Sequence, residues 1–225
     1  MSKDSNPTQE EGNIMIENTF RSPRKRGRIA IFLSGRGSNF RAIHSAIEDG
    51  TINADIALVF SNRKQAPGLL FAREVGLETV SLNPKEYDSR EDYDRAILRE
   101  VEKREVDLIC LAGYMRILTP LLCEAYLNRI INIHPALLPA FPGLHVQKKA
   151  IDWGVRFSGA TVHFVVPEVD MGPIILQAVV PVLQDDTEDT LSARILKEEH
   201  KIYPESVRLF FDGRLEVRNR RVFIL

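Results

Sequence analysis

Four short, nearly continuous apolar runs, at residues 29–33, 54–60, 108–112 and 130–133, constrain this chain most. Each is too short for a core helix, and each lacks the polar alternation of a half-exposed strand. Runs of this kind read as strands buried on both faces, as in a parallel sheet covered by helices. Between them the pattern changes. Residues 38–47 read as a helix, and so do residues 67–75, which Gly76 ends. A short strand near 79–82 precedes a helix in which Tyr93, Ile97 and Val101 recur every four residues. Strand–helix alternation predicts an α/β fold, a Rossmann-like doubly wound sheet.

The last third departs from that rhythm. Residues 160–166 and 174–182 read as strands, and too few residues separate them for a helical crossover. That pair is predicted to be antiparallel. A final helix starts near Thr187 and carries Leu191, Ile195 and Ile202 before Pro204, which is expected to kink or break it. The expected sheet is therefore mixed, with parallel strands first and an antiparallel pair in the C-terminal third.

Residues 1–27 are polar and end in Arg21-Ser22-Pro23-Arg24-Lys25-Arg26-Gly27. They read as a disordered extension ahead of a single domain at 28–225, long enough to bury a full core. The basic run could touch a polyanion, but short charged tails are usually only solvated. A formal net charge of −1 gives no general pull toward nucleic acid or anionic membrane. No apolar stretch approaches the ~18 residues of a membrane span, and the first residues lack the apolar core of a secretory signal. Cys110 and Cys123 have no neighbour at metal-ligand spacing, so they read as buried free thiols of a cytoplasmic protein without a metal.

Asn132-Ile133-His134-Pro135 closes the fourth run. Two residues apart on a strand, Asn132 and His134 leave the same face. Pro135 holds His134 extended and ends the strand there. A carboxamide donor and an imidazole would stand at a strand's C-terminal edge, where open α/β sheets hold ligands. The pair suits stabilising an oxyanion and moving a proton, which is acyl-transfer chemistry. Asp170, in Asp170-Met171-Gly172-Pro173, is expected at another strand end, where its charge would raise the pKa of His134 and fix its tautomer. It could equally cap the turn that it forms with Gly172 and Pro173. His44, on the solvent face of the first helix, His145, after a turn, and His200 are weaker candidates. His163, in mid-strand, is expected in a core or sheet-face role. No Gly-x-Ser-x-Gly elbow supports a serine nucleophile.

Gly35-Arg36-Gly37-Ser38-Asn39 follows the first strand and opens the first helix, the position where backbone N–H groups and the helix dipole attract an anion. Phe40 stands where a dinucleotide fingerprint needs its third glycine, and no Gly-Lys-Ser/Thr ending makes a Walker loop. Alone, the loop is as much a tight turn as a phosphate site. Its place at the same sheet edge as Asn132 and His134 favours the phosphate.

Together with residues 111–118, 132–139, 141–145, 170–174 and 199–204, this loop resembles the folate-dependent formyltransferases over residues 28–215. The stretch Pro142-Gly143-Leu144-His145 fits the glycinamide ribonucleotide branch, and the chain has no length for the extra domains of the tRNA-directed or hydrolytic relatives. The resemblance implies that Asn132, His134 and Asp170 are catalytic. It implies that 10-formyltetrahydrofolate is the co-substrate, with its pterin against Met115, Arg116, Ile117 and Leu118 and its glutamate tail near Arg90. It also implies that the backbone of Gly37, Ser38 and Asn39 holds the ribonucleotide phosphate and that Glu199 meets the ribose. Leu196 stands where relatives often place a Gln or Lys near the phosphate, with Lys197 one step on. The expected activity is formyl transfer to glycinamide ribonucleotide in purine synthesis. The alternatives are hydrolysis of the same donor, or a folate- or nucleotide-binding module without turnover.

Overall fold

A nine-stranded sheet organises the molecule, a computed structural model that describes residues 26–225. The expected extension, apart from Arg26 and Gly27, lies outside those residues. The strands are β1 (Gly27–Leu33), β2 (Ala54–Ser61), β3 (Thr79–Ser81), β4 (Leu108–Leu111), β5 (Ile130–His134), β6 (Phe157–Phe164), β7 (Ile174–Pro181), β8 (Leu215–Arg218) and β9 (Arg221–Ile224). The helices are α1 (Ser38–Glu48), α2 (Pro67–Glu74), α3 (Arg90–Lys103), α4 (Pro120–Ala125), α5 (Val146–Asp152) and α6 (Glu188–Phe211).

In space the strands run β3-β2-β1-β4-β5-β6-β7-β9-β8. The first five in that order pair in parallel, while β5–β6 and β6–β7 are antiparallel. The mixed sheet expected from the sequence is the one observed. Chain order reverses between β1 and β4, so the crevice that such a reversal opens lies beyond the C-terminal ends of β1, β4 and β5.

Alternate residues of β1 feed two cores. Ile29, Ile31 and Leu33 join Phe40 and Ile43 of α1 and Tyr203 and Val207 of α6 on one face. On the other face Ala30 and Phe32 join Tyr93, Ile97 and Val101 of α3 and Leu122 of α4. Both faces of β1 are thus sealed, which is why its sequence shows no polar alternation.

Three details differ from the expectations. Pro204 does not break α6, which continues to Phe211. A proline inside a helix costs about 3 kcal/mol, but Tyr203 and Val207 beside it are fully buried and each contributes about 1.5–3 kcal/mol. Second, Gly27 already belongs to β1, anchored by Arg26, whose Nη2 donates to the Ala54 carbonyl at 2.7 Å. Third, β8 and β9 form a short hairpin beyond the expected elements, and β9 extends the sheet beside β7. Among the described residues no helix is long and apolar enough to cross a membrane.

Candidate active site

Asn132 and His134 both line a cavity of about 640 Å³ at the C-terminal end of β5, as their shared strand face requires. The chain after Pro135 turns back over the sheet and is pinned by Thr161 of β6. The Thr161 hydroxyl donates to the Ala136 carbonyl at 2.7 Å and accepts from the Leu138 N–H at 3.1 Å. Gln177 of β7 adds a bond to the Leu138 carbonyl at 2.9 Å. The turn then brings the Phe141 carbonyl within 2.9 Å of His134 Nε2. Phe141 (φ 53°) and His145 (φ 57°) are left-handed there, a conformation costly for residues with a side chain.

Asp170 completes the group, but from the β6–β7 loop at φ 56° rather than from a strand end. Its Oδ2 accepts from the Gly143 N–H at 2.8 Å and lies 3.5 Å from His134 Nδ1. Gly172 lets this loop fold back onto β6, because a Cβ at that position would fall 1.7 Å from the Phe164 carbonyl oxygen. Burial works to raise the Asp170 carboxyl, but His163, the Gly143 N–H and His134 outweigh it and hold the group below the usual range. The expected raising of the His134 pKa is not observed. Burial depresses it, and this outweighs the Phe141 carbonyl and Asp170, which both pull the other way.

His163 is buried, as a core or sheet-face role requires. It is also the cross-strand partner of Asn132. Its Nδ1 lies 2.8 Å from the Phe164 carbonyl and its Nε2 lies 3.2 Å from Asn132 Nδ2 and 3.7 Å from Asp170 Oδ1. A carbonyl only accepts, so Nδ1 carries the proton and Nε2 of the neutral ring accepts from Asn132. By the same argument the His134 proton sits on Nε2, facing Phe141, and Nδ1 is the basic atom.

The glycine loop stands at the next strand ends. Gly37 has φ 73° and precedes α1, and a Cβ there would meet Leu33 Cδ2 at 3.2 Å. Among the expected phosphate and ribose residues, Asn39 Nδ2 donates to Glu199 Oε2 at 2.6 Å, which ties α1 to α6. Asn39 Oδ1 is buried with no partner. Glu199 is buried, and that burial raises its pKa against the opposing Asn39 bond.

Met115, Arg116, Ile117 and Leu118 line the cavity, with Met115 and Ile117 more than half exposed toward it. The Ser34 hydroxyl accepts from the Met115 N–H at 2.8 Å and donates to Asn62 Oδ1 at 2.6 Å, linking this segment to the glycine loop. Arg90 is tied to the Ile117 carbonyl at 2.9 Å. Sequence reasoning did not assign residues 165–169, which also line the cavity. Only the tertiary path of the β6–β7 loop brings them there.

The formyl transferase family profile matches residues 27–207. A phosphoribosylglycinamide formyltransferase of Escherichia coli K12 is 43% identical over 196 residues, covering 87% of this chain and 92% of that protein. Among solved structures, glycinamide ribonucleotide transformylase 1 from Symbiobacterium toebii matches with a TM-score of 0.88 at 49% identity, over 89% of this chain and 95% of that one. A formyltetrahydrofolate deformylase from Burkholderia mallei matches with a TM-score of 0.80 at 28% identity, over 89% of this chain but 70% of that one.

Proposed function

The chain belongs to the formyl transferase family, and from that premise we propose that it transfers the formyl group of 10-formyltetrahydrofolate to the primary amine of glycinamide ribonucleotide in purine synthesis. The observation that carries this reading is the meeting of Asn132, His134 and Asp170 at the floor of one large cavity. The higher identity to the transformylase, 49% against 28% for the deformylase, supports transfer over hydrolysis.

The cavity suits a folate. Its volume of about 640 Å³ falls in the range of small-molecule sites, and it is lined by apolar side chains with a few polar groups. Met115, Ile117 and Leu118 would hold the pterin, and the bound co-substrate supplies the one-carbon group. The ribonucleotide phosphate would rest on the N–H groups that open α1, with the sugar toward Glu199. Those N–H groups favour an anion without any lysine, which suits Leu196 at its position.

Asn132 gives one amide proton to His163 and keeps the second for the oxygen on which negative charge builds during attack. One such donor is worth roughly 3 kcal/mol of barrier lowering. His134 enters as the neutral base. Its depressed pKa leaves Nδ1 free to take the amine's proton at neutral pH. The imidazolium that results donates through Nε2 to Phe141 and through Nδ1 toward the ionised Asp170. The same Nδ1 proton can then pass to the nitrogen that leaves. Both free cysteines are buried, which agrees with a reducing cytoplasm.

The test follows a carbon-13 label in the formyl group of the donor, supplied with glycinamide ribonucleotide. Label in a new formamide on the ribonucleotide supports transfer. Label released as formate, with the amine untouched, means hydrolysis instead.

A further inference from the structure

Residues 113–119 link β4 to α4 without a helix or strand of their own, yet they include the segment that opens onto the cavity. Their course is set from α3. Arg90 donates to the Ile117 carbonyl at 2.9 Å, and the Arg116 guanidinium lies 4.8 Å above the Tyr93 ring. Asp94 Oδ2 accepts from the Thr119 N–H at 2.6 Å. Positions 90, 93 and 94 are three and four apart, so they share one face of the helix.

Asp94 stands out among these. It is only 3% exposed, beside a core that contains Tyr93, Leu118, Leu122 and Cys123. A carboxylate there is costly unless it is paired, and its partner is a backbone N–H of the segment after the pterin-facing residues. Burial raises its pKa, against the Thr119 bond and the nearby Arg116 and Arg90. It does not line the cavity and so does no chemistry on a substrate.

We propose that Asp94 is a positioning residue for the folate side of the site. By fixing Thr119 at one end of the segment, while Arg90 fixes Ile117, it sets where Met115 to Leu118 stand against the co-substrate. The inference rests on the reading of the cavity as the folate site. The ribonucleotide side is held through Gly37, Asn39 and Glu199, and the segment joins it at its opposite end, where the Met115 N–H bonds to Ser34, so Asp94 bears mainly on the folate.

The experiment compares wild type, Asp94→Ala and Asp94→Asn by calorimetric titration with tetrahydrofolate and by steady-state kinetics. Asp94→Ala leaves a buried N–H unpaired and is expected to weaken folate binding about tenfold or more. The KM for the ribonucleotide should hold within about twofold, since the bond lost lies at the far end of the segment from its link to Ser34. Asp94→Asn keeps an oxygen acceptor in place and should recover folate affinity to within about threefold of wild type. Unchanged folate affinity in Asp94→Ala overturns the proposal, as does an equal rise in both KM values or a failure of Asn to rescue.

If Asp94→Ala does not fold, Thr119→Pro removes the same bond from the other side, at a residue whose φ of −81° suits proline. The same split between substrates is then expected, and its absence overturns the proposal. Wild type that binds no folate would instead overturn the reading of the cavity itself.

Discussion

Asn132 Nδ2 lies 3.2 Å from His163 Nε2, directly across the β5–β6 pair. Because His163 Nδ1 is committed to the Phe164 carbonyl, the histidine can only accept from Asn132 while neutral. It therefore fixes which end of the carboxamide faces the reacting oxygen. His163→Ala should lower kcat about tenfold or more, with little change in either KM, because a freely turning amide is a poorer oxyanion donor. Steady-state kinetics decide it. Unchanged kcat would reduce His163 to a packing residue.

Asp170→Asn keeps size and hydrogen-bonding capacity but removes the charge facing His134 Nδ1. The expected result is a fall in kcat of about 100-fold or more with modest change in KM. A residue that only capped a turn would tolerate Asn.

The pH dependence of the wild type and of Asp170→Asn follows from the same geometry. In the proposed mechanism His134 acts as a neutral base, and burial holds its folded pKa below 6.5, so the acid limb of kcat/KM should fall at a pH below that value. Asp170 pulls the His134 pKa upward, so removing its charge should shift the limb to lower pH. Stability follows the same sign. The His134 contribution is present above pH 6.5 and is lost as pH falls toward the lowered folded pKa, because the unfolded chain takes up the proton first. An Asp170→Asn profile with its acid limb at higher pH would contradict the arrangement.

Gly37→Val places a side chain at φ 73° and 3.2 Å from Leu33 Cδ2, where the proposed phosphate site has the backbone approach an anion. The KM for the ribonucleotide should rise far more than the KM for the folate. An equal rise in both would point to general misfolding.

The fold and the pair Asn132 and His134 were legible because period and length carry them. A strand face repeats every two residues, and a proline ends the strand. His163 was not legible as a site residue, because only the antiparallel register of β6 against β5 sets it beside Asn132. Asp170 was legible as a residue but not as a left-handed loop position, since that geometry depends on Gly172 passing close to Phe164. Pro204 misled because the rule against helix-interior proline is local, while the burial of Tyr203 and Val207 is not. The hairpin at 215–224 went unseen because each of its strands is only four residues long, too short for a pattern to stand out.

His134→Ala tests most directly whether His134 Nδ1 takes the amine's proton during transfer. With folding checked by circular dichroism and both substrates still bound, kcat should fall by about 100-fold or more. Turnover near that of wild type would remove His134 from that role, since among the described residues no other neutral base lies beside Asp170 and Asn132 with a free nitrogen.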